Sequence, residues 1–563
     1  MGVWWVLVGC GPRQMATPTE PVTLHIAALN DWHGALYEQP VYNHPERAWG
    51  GLGWLVGTMD VLRGEHPDLI VLDGGDVFQG AWAVNATAGA GAVAAYNLLG
   101  VDAVAVGNHE FDYGGTALHP TRGALMEAAA AADFSWLAAN ITRADGKPWM
   151  TDGISRHTVI ERGGIKLGVI GLATTETPET TLSRNVADLT FTDPVAAVRD
   201  VLPDLKAAGV HAIAVVGHLT GSCATPGYLI PPSDDCRPEG EIGRLLDELP
   251  PGTIDIIVAG HAHTLLNQRI DDTFVIESRD RGKLIGQLDL VITPDGVDAD
   301  ASRLLPHVQV LHDAVDPGCG EGTYDRSPQQ VSGRMVSPSA AALDLVARLE
   351  AEAGSLCDDL GCARAPMGRD YSAESAAGDF VADAMLEAFE GADLAIQNPG
   401  GLRADLPAGT LRREHIHQLM PFDNALYLLE MDGAQLTRLF EIGTSGAHGV
   451  LQVSIGTRYR FDPDATTERD LDGDGEAAEW EVDRLCELSI AGAPVDPTAR
   501  YRVVTTDFLY NGGDHLGPGF ADAVLLERGP LLRDALYEAA TSPADVCLDV
   551  ARPGSRISAG SCQ

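Results

Sequence analysis

The sequence predicts an α/β protein built as two domains, and three observations carry that expectation. At 563 residues with 45% apolar content, the chain exceeds one ordinary domain and holds enough apolar material for two cores. Five short apolar runs, each bounded by glycine or polar residues, read as buried strands. Helical stretches at Ala88–Leu99, Gly123–Ala132 and Pro194–Ala208 alternate with them, the pattern of an α/β sheet.

Each of the five runs ends in a side chain able to bind a metal. Val22–Leu29 leads to Asp31-Trp32-His33, and Leu69–Leu72 to Gly74-Gly75-Asp76. Ala103–Val106 leads to Gly107-Asn108-His109-Glu110-Phe111-Asp112. Ala212–Val216 leads to Gly217-His218, and Ile256–Ala259 to Gly260-His261-Ala262-His263. Ligands in open α/β sheets gather beyond the carboxyl ends of the strands, so these residues are expected to meet on one rim. Imidazole and carboxylate suit Zn, Mn or Fe. Two such cations roughly 3.5–4 Å apart clamp a phosphoryl group and activate a shared water. Asp76 is the natural carboxylate to reach both.

In this order the five segments resemble the calcineurin-like metallophosphatases. Downstream segments narrow the resemblance to the 5′-nucleotidase/UDP-sugar hydrolase family. They are Gln397-Asn398-Pro399-Gly400-Gly401-Leu402-Arg403, then Pro421-Phe422, then Asp507-Phe508-Leu509-Tyr510-Asn511-Gly512-Gly513-Asp514. The resemblance covers roughly residues 22–525. It implies an N-terminal metallophosphatase αββα sandwich, a linker helix and a C-terminal α/β nucleotide-binding domain.

The resemblance assigns Asp31, His33, Asp76 and His263 to one ion, and Asp76, Asn108, His218 and His261 to the other. His109 with Asp112 is the implied catalytic pair, stabilising charge on the phosphoryl group or protonating the leaving oxygen. Phe422 and Phe508 correspond to aromatics that sandwich a nucleobase, and Asp514 to the acceptor of ribose hydroxyls. Asn398 and Arg403 correspond to polar groups facing the nucleotide, with Arg403 near phosphate. One departure stands out in Arg369-Asp370-Tyr371-Ser372-Ala373-Glu374. Tyr371 or Ala373 stands where the family carries an Arg, leaving Arg369 or Arg364 to compensate.

The implied activity is hydrolysis of nucleoside 5′-phosphates, and of UDP-sugars, to nucleoside and phosphate. Alternatives are a 2′,3′-cyclic-nucleotide phosphodiesterase or another hydrolase on the same scaffold, a sulfur-compound hydrolase among them, and a non-enzymatic surface lipoprotein. A formal net charge of −42 excludes the basic footprint of a nucleic-acid binder. Lysine occurs only at Lys147, Lys166, Lys206 and Lys283.

The expected organisation is a leader with spacer at 1–21, the phosphatase domain at 22–300 and a linker with its connecting helix at 301–362. The substrate domain follows at 363–540, then a cysteine-bounded tail at 541–563. The linker helix is read at Ser337–Leu356. Leu7-Val8-Gly9-Cys10 resembles a bacterial lipobox, which makes Cys10 the expected lipidated residue of an exported, membrane-anchored protein. The chain has nine cysteines, so Cys10 leaves an even eight for disulfides. Closeness in sequence pairs Cys223 with Cys236, Cys357 with Cys362 and Cys547 with Cys562, leaving Cys319 and Cys486. Finally, Asp470, Asp472, Asp474 and Glu481 match the ligand positions of a calcium loop, with a structural ion expected between two strands.

Overall fold

The computed structural model describes residues 20–41, 44–221, 237–314, 326–353, 356–422, 424–445, 449–471, 477, 481–541, 547–549, 554 and 556–562. In its first half, two sheets lie face to face. One runs in the order Gly296–Val297, Leu284–Thr293, Val22–Leu29, Ile70–Asp73, Ala103–Ala105, Ser135–Leu137 and Ile154–Ser155. The other runs Leu265–Ile270, Thr273–Ser278, Ile256–His261, Ala212–Leu219, Ile165–Ala173 and His157–Arg162. Alternation within the strands fills the space between them. Leu24, Ile26, Ala28, Ile70 and Leu72 face Leu167, Val169, Ala214, Val216 and Val258 in one buried cluster.

Helices cover both outer faces. Leu52–Glu65, Ala90–Leu99 and Gly123–Ala131 pack on the first sheet, and Pro194–Ala208 and Gly240–Glu248 on the second. Local chemistry sets their ends. The Asp193 carboxylate accepts the Val195 and Ala196 N–H groups ahead of Pro194–Ala208, and Gly209 closes that helix at φ 70°.

The strands that carry the candidate ligands run parallel within each sheet. Val22–Leu29 lies beside Ile70–Asp73, which lies beside Ala103–Ala105. Ala212–Leu219 lies beside Ile256–His261 with His218 opposite Gly260. Parallel direction puts all five carboxyl ends at one rim.

The second half is built on a five-stranded sheet, Gln452–Val453, Leu394–Gln397, Arg500–Thr506, Ala425–Asp432 and Val524–Leu531. Ala376–Glu387, Arg413–Leu419 and Leu532–Ala540 cover one face, and Gly433–Thr444 covers the other. A four-stranded sheet adjoins it, and its last member is Ile557–Ala559, parallel to Thr457–Phe461. The chain's end is therefore part of this half. Arg556 is buried, ion-paired with Asp383 at 2.7 Å, and Glu374 accepts the N–H groups of Arg556 and Ile557.

Two disulfides correct the pairing expected from sequence proximity. Cys362 bonds Cys547 and Cys486 bonds Cys562, with Cα atoms 4.6 and 5.0 Å apart. Strand pairing decides this. The Leu548 N–H donates to the Cys362 carbonyl, so residues 547–549 run alongside Asp359–Ala363. Cys486 lies on Leu485–Ile490 and Cys562 follows Ile557–Ala559, the two strands that flank Thr457–Phe461 in the four-stranded sheet. Cys357 is also disulfide-bonded. Cys10, Cys223, Cys236 and Cys319 lie outside the described residues.

The connecting helix spans Ala340–Ala353 and is docked rather than free-standing. Ala342, Leu345 and Leu349 belong to the first core. Glycines on Leu52–Glu65 make room for this segment, since a Cβ at Gly57 would collide with the Ser337 carbonyl oxygen. Gly64, on the same helix, has open space around it. Gly57→Ala should therefore cost about 1–3 kcal/mol by overpacking. Gly64→Ala should gain about 0.5–1 kcal/mol through helix propensity. Chemical denaturation of the two variants checks this, and equal shifts would remove the close-packing explanation.

Candidate active site

Five of the seven residues expected to bind metal hold left-handed backbone: Asp31 (φ 48°), His33 (49°), Asp76 (56°), His261 (87°) and His263 (54°). Such geometry costs of order 1–3 kcal/mol per residue and persists where surrounding contacts impose it. Here they do. Asp31 N–H donates to the Gly75 carbonyl at 2.9 Å, His33 N–H to Asp76 at 3.0 Å, and Arg281 N–H to Asp31 at 2.7 Å. The Glu110 carboxylate accepts four backbone N–H groups, from Asp76 (3.1 Å), Val77 (2.8 Å), Phe78 (3.0 Å) and Gly107 (2.7 Å). It thereby joins the loop of Asp76 to the loop of Asn108.

The donor atoms fall in two groups sharing Asp76. In the first, His33 Nε2 lies 3.0 Å from His263 Nε2 and 3.8 Å from Asp76, and His263 Nε2 lies 3.3 Å from Asp31 Oδ1. In the second, His218 Nε2 lies 3.1 Å from Asp76 Oδ2, 3.0 Å from Asn108 Oδ1 and 3.1 Å from His261 Nδ1. The orientations are fixed from behind. His218 Nδ1 donates to the Gly74 carbonyl at 3.1 Å, which leaves Nε2 as the lone-pair atom. Asn108 Nδ2 donates to the Thr180 carbonyl at 3.1 Å, which turns Oδ1 inward. Lone pairs so converged repel one another unless a cation sits among them. Ligands about 2.0–2.2 Å from a common ion lie about as far apart as these atoms do.

The electrostatics agree. Burial opposes a charge on His218, yet Asp76 and Asp31 outweigh burial and lift it to about 10. The carboxylates around His218 thus favour a positive charge at this point. Burial first, then His263 and His109, hold His33 well below its usual value against the pull of Asp76, which suits a neutral ligand. Burial and Asp76 push Glu110 up to about 8 against its N–H donors.

His109 Nδ1 is 2.6 Å from Asp112 Oδ2, and Thr181 Oγ1 donates to the other Asp112 oxygen at 2.8 Å. Burial works against a charged His109, but Asp112 and Asp76 overcome it and its pKa rises. Its Nε2 faces Asp76 at 4.0 Å and Arg403 Nη2 at 3.4 Å.

A cavity of about 580 Å³ runs from these groups into the second half. Asn398, Arg403, Phe422, Phe508 and Asp514 all line it. Asn398 Nδ2 donates to Asp514 Oδ2 at 2.6 Å, and Asp514 is also left-handed at φ 51°. The Arg403 guanidinium lies 5.4 Å from the Phe422 ring centroid. The halves meet around the cavity through His515–Glu179 at 2.9 Å, Arg184–Asp507 at 3.1 Å and Asn85 Nδ2 to the Pro421 carbonyl at 2.7 Å.

Of Tyr371 and Ala373, the two residues that stand where the resemblance leads one to expect Arg, Tyr371 lines the cavity. Arg369 donates to the Leu402 carbonyl at 3.1 Å, whereas Arg364 pairs with Asp549 at an exposed site. Sequence reasoning gave no role to Glu110, Asn424, Tyr113 or Thr181. Asn424 and Tyr113 line the cavity. Glu110 and Asn424 lie within or beside quoted segments, so position alone could have flagged them. Of the proposed calcium loop, Asp472 and Asp474 lie outside the described residues. Glu481 is buried and its Oε1 accepts the Leu471 N–H at 2.7 Å. Asp470 is exposed.

The profile of the calcineurin-like phosphoesterases matches residues 24–265, and that of the 5′-nucleotidase C-terminal domain matches residues 353–522. The chain belongs to the 5′-nucleotidase family of calcineurin-like phosphoesterases. It is a metal-dependent phosphoric ester hydrolase by family. A probable 5′-nucleotidase of Treponema pallidum is 25% identical over 563 residues, covering 90% of this chain and 89% of that one. The 5′-nucleotidase precursor of Thermus thermophilus superimposes with a TM-score of 0.74 at 23% identity, covering 96% of this chain and 99% of that one. A sulfate thiohydrolase from the same organism shares the fold at a TM-score of 0.68 and 18% identity, with 95% and 96% covered.

Glu110→Gln should leave at least two of the four N–H groups without an acceptor, because an amide nitrogen donates rather than accepts. Each buried unsatisfied donor costs about 1–3 kcal/mol. The expected outcome is a lower melting temperature together with reduced retained metal, read by elemental analysis. Unchanged metal content would show that the two loops keep their positions without this carboxylate.

Proposed function

We propose that the protein hydrolyses nucleoside 5′-phosphates to nucleoside and phosphate. One observation carries this reading. A single cavity is lined both by Asp76, Asn108, His109, His261 and His263 and by Phe422, Phe508 and Asp514, with the Phe422 ring centroid 5.9 Å from that of His109. The first ion would be held by Asp31, His33, Asp76 and His263, and the second by Asp76, Asn108, His218 and His261. When bound, Zn or Mn supplies Lewis acidity at the phosphoryl oxygens and an acidified water.

The chain's own residues do the rest. Arg403 and His109 face the phosphoryl position from opposite halves of the cavity and offset its charge. Asp112 holds the Nδ1 proton of His109, which leaves the Nε2 proton for a phosphoryl oxygen or for the departing ribose oxygen. Phe422 and Phe508 offer ring faces to a base, and Asp514, held by Asn398, accepts ribose hydroxyls. The chemistry is assigned to residues 22–300 and the grip on the nucleoside to residues 363–540. Disulfides at Cys362–Cys547 and Cys486–Cys562 favour an exported protein. Cys10 is the proposed anchor, and no helix among the described residues is long and apolar enough to cross a membrane.

Chelation should abolish phosphatase activity and added Zn or Mn restore it. Asp76→Asn should be the most damaging ligand substitution, since it weakens both donor groups at once. Full turnover in excess chelator, with no metal found by elemental analysis, would overturn the assignment. Assays with AMP, a UDP-sugar, a 2′,3′-cyclic nucleotide and a thiosulfate ester separate this reading from its alternatives.

Phe422→Ala and Phe508→Ala should each lower kcat/KM for AMP by an amount matching about 1–3 kcal/mol of lost stacking. Hydrolysis of a small aryl phosphate should change far less. Equal losses with both substrates would remove the base-stacking role.

A further inference from the structure

His109 and Asp112 sit in one tight turn, closed by the Asp112 N–H donating to the His109 carbonyl at 3.2 Å. That bond fixes the backbone. It leaves the plane of the Asp112 carboxyl group open, because the terminal torsion of an aspartate is broad and roughly two-fold. A donor on each oxygen closes that freedom. His109 Nδ1 meets Oδ2 at 2.6 Å, and the Thr181 hydroxyl meets Oδ1 at 2.8 Å. An ionised carboxylate only accepts, so the hydroxyl is the donor.

The fold holds that hydroxyl still. Thr181 is 2% exposed and lines the cavity together with Asp112. Its β-branched side chain is stiff about the first torsion. Its N–H donates to the Thr177 carbonyl at 3.2 Å and closes the short helix Thr177–Thr180. Further along, Asn185 Nδ2 donates to the Phe111 carbonyl at 2.8 Å, so this segment grips the His109–Asp112 turn at two points. The two residues before Thr181 also reach the site. The Thr180 carbonyl accepts from Asn108 Nδ2 at 3.1 Å, and Glu179 meets His515, next to Asp514, at 2.9 Å. Three consecutive residues thus touch an expected metal donor, the His109–Asp112 pair and the second half of the chain.

We infer that Thr181 is a positioning residue for the reaction: its hydroxyl holds the Asp112 carboxylate in the plane that engages His109 Nδ1 and keeps Nε2 turned into the cavity toward Arg403. Without the hydroxyl Asp112 keeps one tie instead of two, and the imidazole it orients gains freedom. A misplacement of about 1 Å in such a group can cost about 100-fold in rate. This inference rests on the reading of His109 and Asp112 as the pair that handles the proton, and adds a residue outside the family segments.

The experiment uses the full chain loaded with metal and two substrates, AMP and glycerol phosphate, an alkyl phosphate without a base. Thr181→Val keeps nearly the same shape and removes the hydroxyl, whereas Thr181→Ser keeps the hydroxyl. Thr181→Val should lower kcat about tenfold or more on both substrates, with the KM for AMP and the metal content little changed. Thr181→Ser should recover most of the activity. Should Thr181→Val lower the melting temperature, Thr181→Ala, which puts no apolar bulk beside the carboxylate, should show the same loss in kcat. In an Asp112→Ala background, Thr181→Val should cost less than about twofold further, because the group it positions is gone. Full activity in Thr181→Val, a Thr181→Ser variant as slow as Thr181→Val, or an undiminished loss in the Asp112→Ala background would each overturn the inference. If wild type hydrolyses glycerol phosphate and ignores AMP, the nucleotide reading fails, and the same comparisons on glycerol phosphate decide the role of Thr181. A wild type inactive on both substrates would overturn both readings.

Discussion

Glu110 holds the site together. Its carboxylate gathers the N–H groups of Asp76, Val77, Phe78 and Gly107, and so fixes Asp76 and the two residues after it against the loop of Asn108. Asp76 then sits at φ 56° with His109 N–H on its Oδ1 at 3.0 Å. Its other oxygen faces His218, His33 and His109. The two sheets contribute donors from opposite sides, and the shared aspartate is where their loops meet. Backbone strain at Asp31, His33, His261 and His263 is tolerable because these residues are pinned to that centre, and because a bound cation rewards the arrangement.

Much of this was legible in the residues themselves. A strand of Val, Ile and Ala ending in glycine and then Asp, Asn or His announces both a buried element and what it delivers. Parallel pairing does the rest, since it turns sequence-distant strand ends into neighbours. The helical stretches read at Pro194–Ala208 and Gly123–Ala132 correspond to helices at Pro194–Ala208 and Gly123–Ala131. Thr181 was not readable, because only the fold brings its hydroxyl to Asp112. The disulfides failed to follow sequence proximity because Cys362 and Cys547 are joined by strand pairing between segments 185 residues apart.

The division of labour between the halves follows from charge as much as from shape. An acidic surface repels a phosphate ester at long range, although screening limits that repulsion to about 8–10 Å at ordinary salt. Close in, Arg403, 3.4 Å from His109 Nε2, offsets that repulsion. On the proposed reading, Phe422 and Phe508 would add an attraction that does not depend on charge, so capture and chemistry would draw on different forces.

Both halves are closed by residues remote from where they begin. Val22–Leu29 pairs with Leu284–Thr293, and Ala340–Ala353 completes the first core. Ile557–Ala559 enters the four-stranded sheet of the second half beside Thr457–Phe461. During synthesis neither half can finish until its last element emerges, so central strands wait with open edges. Such topologies fold slowly and expose aggregation-prone intermediates. Without Arg556 and the strand after it, the second half would lose the ion pair to Asp383 and one strand, and would mature incompletely however sound its active-site residues were.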